Sequence, residues 1–139
     1  MIELENKTSL EVPIALLDRI ASDLTDKEIE LIISENAYIQ QINKDYRGID
    51  KPTDVLSFPY EEMPMSPLGS IVISKNYVED KALKLGHTPQ EELTLLFIHG
   101  LLHLLGLDHE VDNGEMREEE KKIIQTFKLP DSLIVRTEG

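Results

Sequence analysis

The sequence predicts an α+β fold: one domain built on a small four-stranded mixed sheet packed with about five helices. Three observations predict it. Short runs with strand periodicity alternate with helical runs in the first half of the chain, the second half reads as three consecutive helices, and proline, glycine and capping residues punctuate the joins. No internal repeat, low-complexity tract or Gly/Ser linker divides the 139 residues, a length that suits a single domain able to bury a real core without staples.

The elements follow in order. Ile2 and Leu4 alternate with Glu3 and Glu5 as a short half-buried strand. Residues 12–17 open a helical pattern that runs to about Leu24, with Pro13 in its first turn, and residues 28–34 alternate again as a strand. Ala37, Tyr38, Ile39 and Ile42 fit a helix from residue 34 or 35 to Tyr46 that should stop near Gly48. Residues 47–53 are a loop, 54–58 a strand ended by Pro59, 61–67 a proline-punctuated loop and 70–74 a β-branched strand. A helix over 75–85 closes at Gly86, and Thr88-Pro89-Gln90-Glu91 then supplies an N-cap, an N1 proline and a capping-box glutamate. The helix they open is the most apolar in the chain and should reach about Leu105, closed by Gly106. The last helix covers 114–127; its run 118–122 reads as a solvated charged face, while Ile123, Ile124 and Phe127 bury.

Composition removes several functions. With no cysteine there is no disulfide framework, thiolate zinc site, iron–sulfur cluster or cysteine nucleophile, so a metal must be held by histidine or carboxylate. The first residues carry no basic stretch ahead of an apolar one, so no secretory signal is expected and the expected compartment is the cytoplasm. The longest apolar run, 93–107, is broken by two histidines and two glycines and falls short of the roughly 20 residues of a membrane span. A net charge of −13 argues against a generic nucleic-acid coat, since phosphate neutralisation supplies most non-specific affinity. No DNA partner is expected, and RNA would have to be engaged locally.

Three of the four histidines lie in His99-Gly100-Leu101-Leu102-His103-Leu104-Leu105-Gly106-Leu107-Asp108-His109. Four residues apart on a helix, His99 and His103 project from one face, one turn from each other, as two ligands of one metal require. The turn after Gly106 can bring His109 back as a third nitrogen ligand, leaving a coordination position open, which marks a catalytic site. The competing reading, two satisfied core histidines on an apolar helix, is less consistent with three at this spacing. The ligands suit Zn²⁺, and also nickel, copper and iron. The spacing matches the metzincin protease frame except that Gly100 stands where those enzymes carry their glutamate base. A peptidase thereby loses its proton handler. Three neutral imidazoles leave a divalent ion its full charge and favour an anion, so Gly100 tilts the choice from peptide to phosphate.

The histidine run, together with Asn43, Tyr46-Arg47, Asp50, Pro52-Thr53-Asp54-Val55-Leu56-Ser57-Phe58-Pro59 and Leu68-Gly69, resembles the YbeY endoribonuclease family over about residues 42–109. The resemblance implies a zincin-like fold and a metal-dependent, single-strand-directed endoribonuclease of small-subunit ribosomal RNA maturation and ribosome quality control. It implies zinc on His99, His103 and His109, a functional Arg47, and the small ribosomal subunit as partner. One departure stands out: the family usually has an acidic residue after Leu-Gly, and this chain has Ser70.

Physically, Arg47 falls at a helix-to-loop junction with Lys44 and Lys51 nearby, a small cationic patch on an acidic protein. A guanidinium there can bind two phosphate oxygens and the extra charge of a pentacoordinate transition state, or can pair structurally with Asp45, Asp50 or Asp54. Asp108, beside the third histidine, is a candidate to fix a histidine tautomer or simply to shape the turn. Asp54, Thr53 and Ser57 are candidates for holding the loop, the arginine or substrate. Two rivals stay open on sequence: a zinc metallopeptidase or other metallohydrolase, and a ribosome-assembly factor whose metal is structural.

Overall fold

Strand and helix periods leave one economical arrangement, in which apolar strand faces meet the apolar stripes of helices on either side of one sheet. The computed structural model describes residues 1–61, 63, 65–108 and 110–130. Its elements are β1 (Ile2–Asn6), α1 (Ile14–Leu24), β2 (Ile29–Ser34), α2 (Asn36–Arg47), β3 (Val55–Pro59), β4 (Gly69–Ser74), α3 (Lys75–Leu85), α4 (Pro89–Leu104) and α5 (Glu115–Thr126). This is the predicted order, with ends shifted by a residue or two. Pro13 is the N-cap of α1 and lies just ahead of its first turn.

The sheet runs β1-β2-β4-β3, with β1, β2 and β4 parallel and β3 antiparallel to β4. Alternation sorts its side chains between two faces. Ile29, Leu31, Ile33, Ile71 and Ile73 join Leu17 and Ile20 of α1 and Phe97 and Leu101 of α4 in the main core. Ile32, Leu56, Phe58 and Val72 meet Ile39 and Ile42 of α2 on the opposite face. Helices α1, α3, α4 and α5 contribute to the first of these clusters and α2 to the second.

Helix α4 is the centre of the molecule. It contacts β3, β4, α1, α3 and α5, and most of its residues, from Glu92 to Leu104, are buried. The sequence sets its start: Thr88 Oγ1 accepts the Glu91 N–H at 3.1 Å while the Glu91 carboxylate accepts the Thr88 N–H at 2.8 Å, the reciprocal capping box. At its other end Gly106 has φ +98°, the left-handed conformation that turns the chain out of the helix. The predicted solvated face over 118–122 needs correction. Glu120 is 4% exposed and points inward with Met116, Ile123 and Ile124.

Candidate active site

Three elements bring the chemistry to one cleft of about 550 Å³. The last residue of α2, Arg47, stands on one side; β3 and the preceding Asp54 form a wall; His99 and His103 of α4, with Gly106, Leu107, Asp108 and Glu110 after it, complete the lining. Arg47 is held there by the way α2 ends. Buried Asn43 donates from Nδ2 to the Lys51 carbonyl at 2.9 Å, folding the loop back on the helix, and Tyr46 packs its ring on Phe58 with centroids 5.4 Å apart.

The structural pairing considered for Arg47 is absent. Among the described residues no ion pair within 4.0 Å involves it, and the three carboxylates in question are engaged elsewhere. Asp45 accepts from Gln41 at 2.9 Å and Asp50 from Gln40 at 3.0 Å. Asp54 Oδ1 accepts the Val55 N–H at 2.8 Å and the Thr53 hydroxyl at 3.3 Å, so Asp54 and Thr53 fix the entry of β3. Arg47 is exposed at the cleft edge, in no ion pair with any other described residue.

On α4 the histidine spacing does what its period demands. His99 Nε2 and His103 Nε2 face each other at 3.1 Å. Two nitrogens each about 2.0–2.1 Å from one tetrahedral zinc stand roughly 3.3–3.4 Å apart, so this pair fits a shared divalent cation with small adjustment. His109 lies outside the described residues. Behind the pair, His99 Nδ1 is 2.8 Å from Glu120 Oε1.

Gly100 explains itself in the same helix turn. A Cβ built on it would lie 2.9 Å from Ile71 Cγ2 and 3.1 Å from Ser57 Oγ. The residue after the first histidine is thus pressed against the sheet, with no room for a methyl group, far less a glutamate. Ser57 lines the cleft and donates its hydroxyl to the Gly100 carbonyl at 3.3 Å, linking β3 to α4.

Of the remaining sequence candidates, Asp108 takes the turn-shaping one of its two readings and Ser70 lies away from the cleft. Asp108 lines the cleft, yet its Oδ1 accepts the Glu110 N–H at 3.0 Å and so shapes the turn; the carboxylate on a described histidine is that of Glu120. Ser70 is not brought to the cleft. It sits on the sheet face opposite Ile71, donating to Glu30 Oε2 at 2.9 Å and sharing a short hydrogen bond with the Tyr60 hydroxyl. The Tyr60 phenol feels that cluster. The Ser70 bond pulls its pKa down, but desolvation, the bond to Glu30 and the Glu30 charge outweigh it and leave the pKa above its ordinary value. Glu120 is the functional candidate that sequence reasoning missed. Its signal was the stripe Met116, Glu120, Ile123, Ile124 and Phe127, on which it occupies an inward position.

Comparison with known proteins places this geometry in context. The family model described as Endoribonuclease YbeY matches residues 3–128. The chain is 62% identical over 139 residues to Endoribonuclease YbeY of Sulfurimonas denitrificans, covering 100% of both sequences. It is 52% identical over 139 residues to Endoribonuclease YbeY of Helicobacter pylori strain 26695, covering 99% of each. The solution structure of the Thermotoga maritima protein TM1509 superposes with a TM-score of 0.64 at 31% identity, over 91% of this chain and 89% of that one.

Proposed function

The chain belongs to the YbeY endoribonuclease family and is a hydrolase that cleaves RNA; on that premise we propose that the cleft between Arg47 and the α4 histidines is its catalytic site, metal-dependent and directed to single-stranded RNA. The in-cell task of this reading is small-subunit ribosomal RNA maturation and quality control, with the small ribosomal subunit presenting the strand. The proposed compartment is the cytoplasm; no helix among the described residues is long and apolar enough to cross a membrane.

One observation carries the reading: an arginine with no ion pair among the described residues shares an open cleft with a convergent pair of imidazole nitrogens. The ligands of this proposal are His99 and His103, with His109 as the third from its place in the motif. Zn²⁺ is the proposed metal, Ni²⁺ being compatible with the same nitrogens. Bound there, the ion would supply Lewis-acid charge at a phosphoryl oxygen. Arg47 holds the scissile phosphate through two N–H donors and gains strength as charge develops on it. Ser57 and Asp54 act through the wall, one tying β3 to α4 and the other bonding the first N–H of β3. The peptidase alternative finds no support at Gly100, where the sheet occupies the space of a general base.

The test uses a labelled single-stranded RNA. Arg47→Glu should keep the wild-type far-UV circular dichroism and metal content while cleavage falls by at least about 10²-fold; unaltered cleavage would remove Arg47 from the mechanism. Equal cleavage by His103→Ala after exhaustive chelation would remove the metal. The cleaved ends identify the nucleophile, because a 2′,3′-cyclic phosphate forms only when the ribose 2′-hydroxyl attacks.

A further inference from the structure

Glu120 is unusual for its chemistry and its place. It is 4% exposed on a helix where Glu115 and Glu118 face solvent and Glu119 is half-buried. Burying a carboxylate costs free energy that a partner must offset, and an apolar residue of similar volume would fill the α4–α5 contact more cheaply. The partner is His99 Nδ1, at 2.8 Å. An ionised carboxylate only accepts hydrogen bonds, so the shared proton sits on Nδ1, and in the neutral ring the lone pair is then left on Nε2. That is the nitrogen standing 3.1 Å from His103 Nε2.

We propose that Glu120 is a positioning residue: it holds the His99 imidazole in the Nδ1–H tautomer and in the orientation that aims Nε2 at the position shared with His103, and thereby sets the affinity of the site for a divalent cation. The proposal rests on the reading of His99 and His103 as metal ligands. It also gives α5 a task. The stripe Met116, Ile123 and Ile124 anchors the helix in the protein, and the one polar member of that stripe reaches the back of the first histidine. The carboxylate lies behind the His99 ring, where its negative charge raises the basicity of the ligand without taking a coordination position.

The test measures zinc affinity by competition with a chromogenic chelator on the full chain, for wild type, Glu120→Gln, Glu120→Ala, His103→Ala and, as a control on the exposed face, Glu118→Gln. Glu120→Gln preserves shape and should fold as wild type does; it carries the test if Glu120→Ala does not fold. Affinity should fall about 10–100-fold in Glu120→Ala, less in Glu120→Gln, and not at all in Glu118→Gln. Wild-type affinity in Glu120→Gln and in any folded Glu120→Ala, with affinity lost in His103→Ala, overturns the role of Glu120 and leaves the ligand reading intact. Wild-type affinity in His103→Ala overturns the ligand reading itself. A readout independent of metal separates positioning from mere packing: in metal-free protein the ¹⁵N shifts of His99 should report Nδ1–H in wild type, and a larger Nε2–H population once the carboxylate is gone. An unchanged tautomer in Glu120→Ala, or in Glu120→Leu where alanine does not fold, refutes the proposal, since neither side chain can accept the Nδ1–H bond.

Discussion

Replacing Gly100 by alanine places a methyl carbon 2.9 Å from Ile71 Cγ2 and 3.1 Å from Ser57 Oγ. Carbon atoms at rest sit about 3.5–4.0 Å apart, so the overlap with Ile71 is more than half an ångström. Ile71 cannot yield easily, being 0% exposed in the middle of β4 with strands on both sides. Overpacking of this kind costs about 1–3 kcal/mol, and alanine returns about 0.8–1.0 kcal/mol of helix propensity over glycine. The net expectation is a loss of about 0–2 kcal/mol. Because that range touches zero, the informative experiment is a double-mutant cycle in urea, followed by circular dichroism. Ile71→Ala removes the offending Cγ2, at its own cost of about 2–5 kcal/mol. In that background Gly100→Ala should stabilise the protein by about 1 kcal/mol, giving a coupling of about 1–3 kcal/mol between the two sites. If Gly100→Ala has the same effect in both backgrounds, close approach to the sheet is not the reason for glycine here. Gly100→Glu, which restores the metzincin pattern, should fail to fold at all.

Two further predictions concern the cluster on the opposite sheet face. Ser70→Asp, which restores the acidity usual in the family, sets a carboxylate directly across from Glu30 in the β2–β4 register. The unfolding free energy from urea titration at pH 7 should drop by about 0.2–1 kcal/mol; an unchanged value would mean that the two groups do not sense each other. The Tyr60 phenol has its pKa raised in the folded state. The stability it contributes is therefore present below the unfolded value near 10 and lost as pH rises through the folded one. Ultraviolet titration of wild type against Tyr60→Phe should assign to Tyr60 a transition above the ordinary tyrosine range, and a transition at or below it would contradict the assignment.

Much of the fold could be read from residues whose local chemistry dictates geometry. The capping box at Thr88 fixes where α4 begins, and Gly106 fixes where it is left, because both act within one helical turn. The His99 and His103 pair was legible for the same reason: a spacing of four on a helix is a statement about distance. Glu120 was not, because a run of glutamates and lysines has no period of its own, and only the flanking Met116, Ile123 and Ile124 show which member turns inward. The fate of Ser70 was hidden differently. Its neighbours Glu30 and Tyr60 come from β2 and from the loop after β3, and which strands meet is decided by tertiary packing. For Gly100 the sequence showed that a glutamate was missing; the sheet beneath it shows why none can be present.

The 21 residues that separate His99 from Glu120 along the chain also set an order in time. Synthesis runs from the N-terminus, and elements can pack only once they have emerged. Arg47 and the β3 wall come first, the two imidazoles arrive with α4, and the carboxylate behind them comes last, with α5. On the proposal made for Glu120, an incomplete chain that already carries Arg47, His99 and His103 still lacks the group that orients His99. For a nuclease assembled by a machine made largely of RNA, this order would keep the proposed cutting centre unfinished until α5, the last of the described helices, has docked.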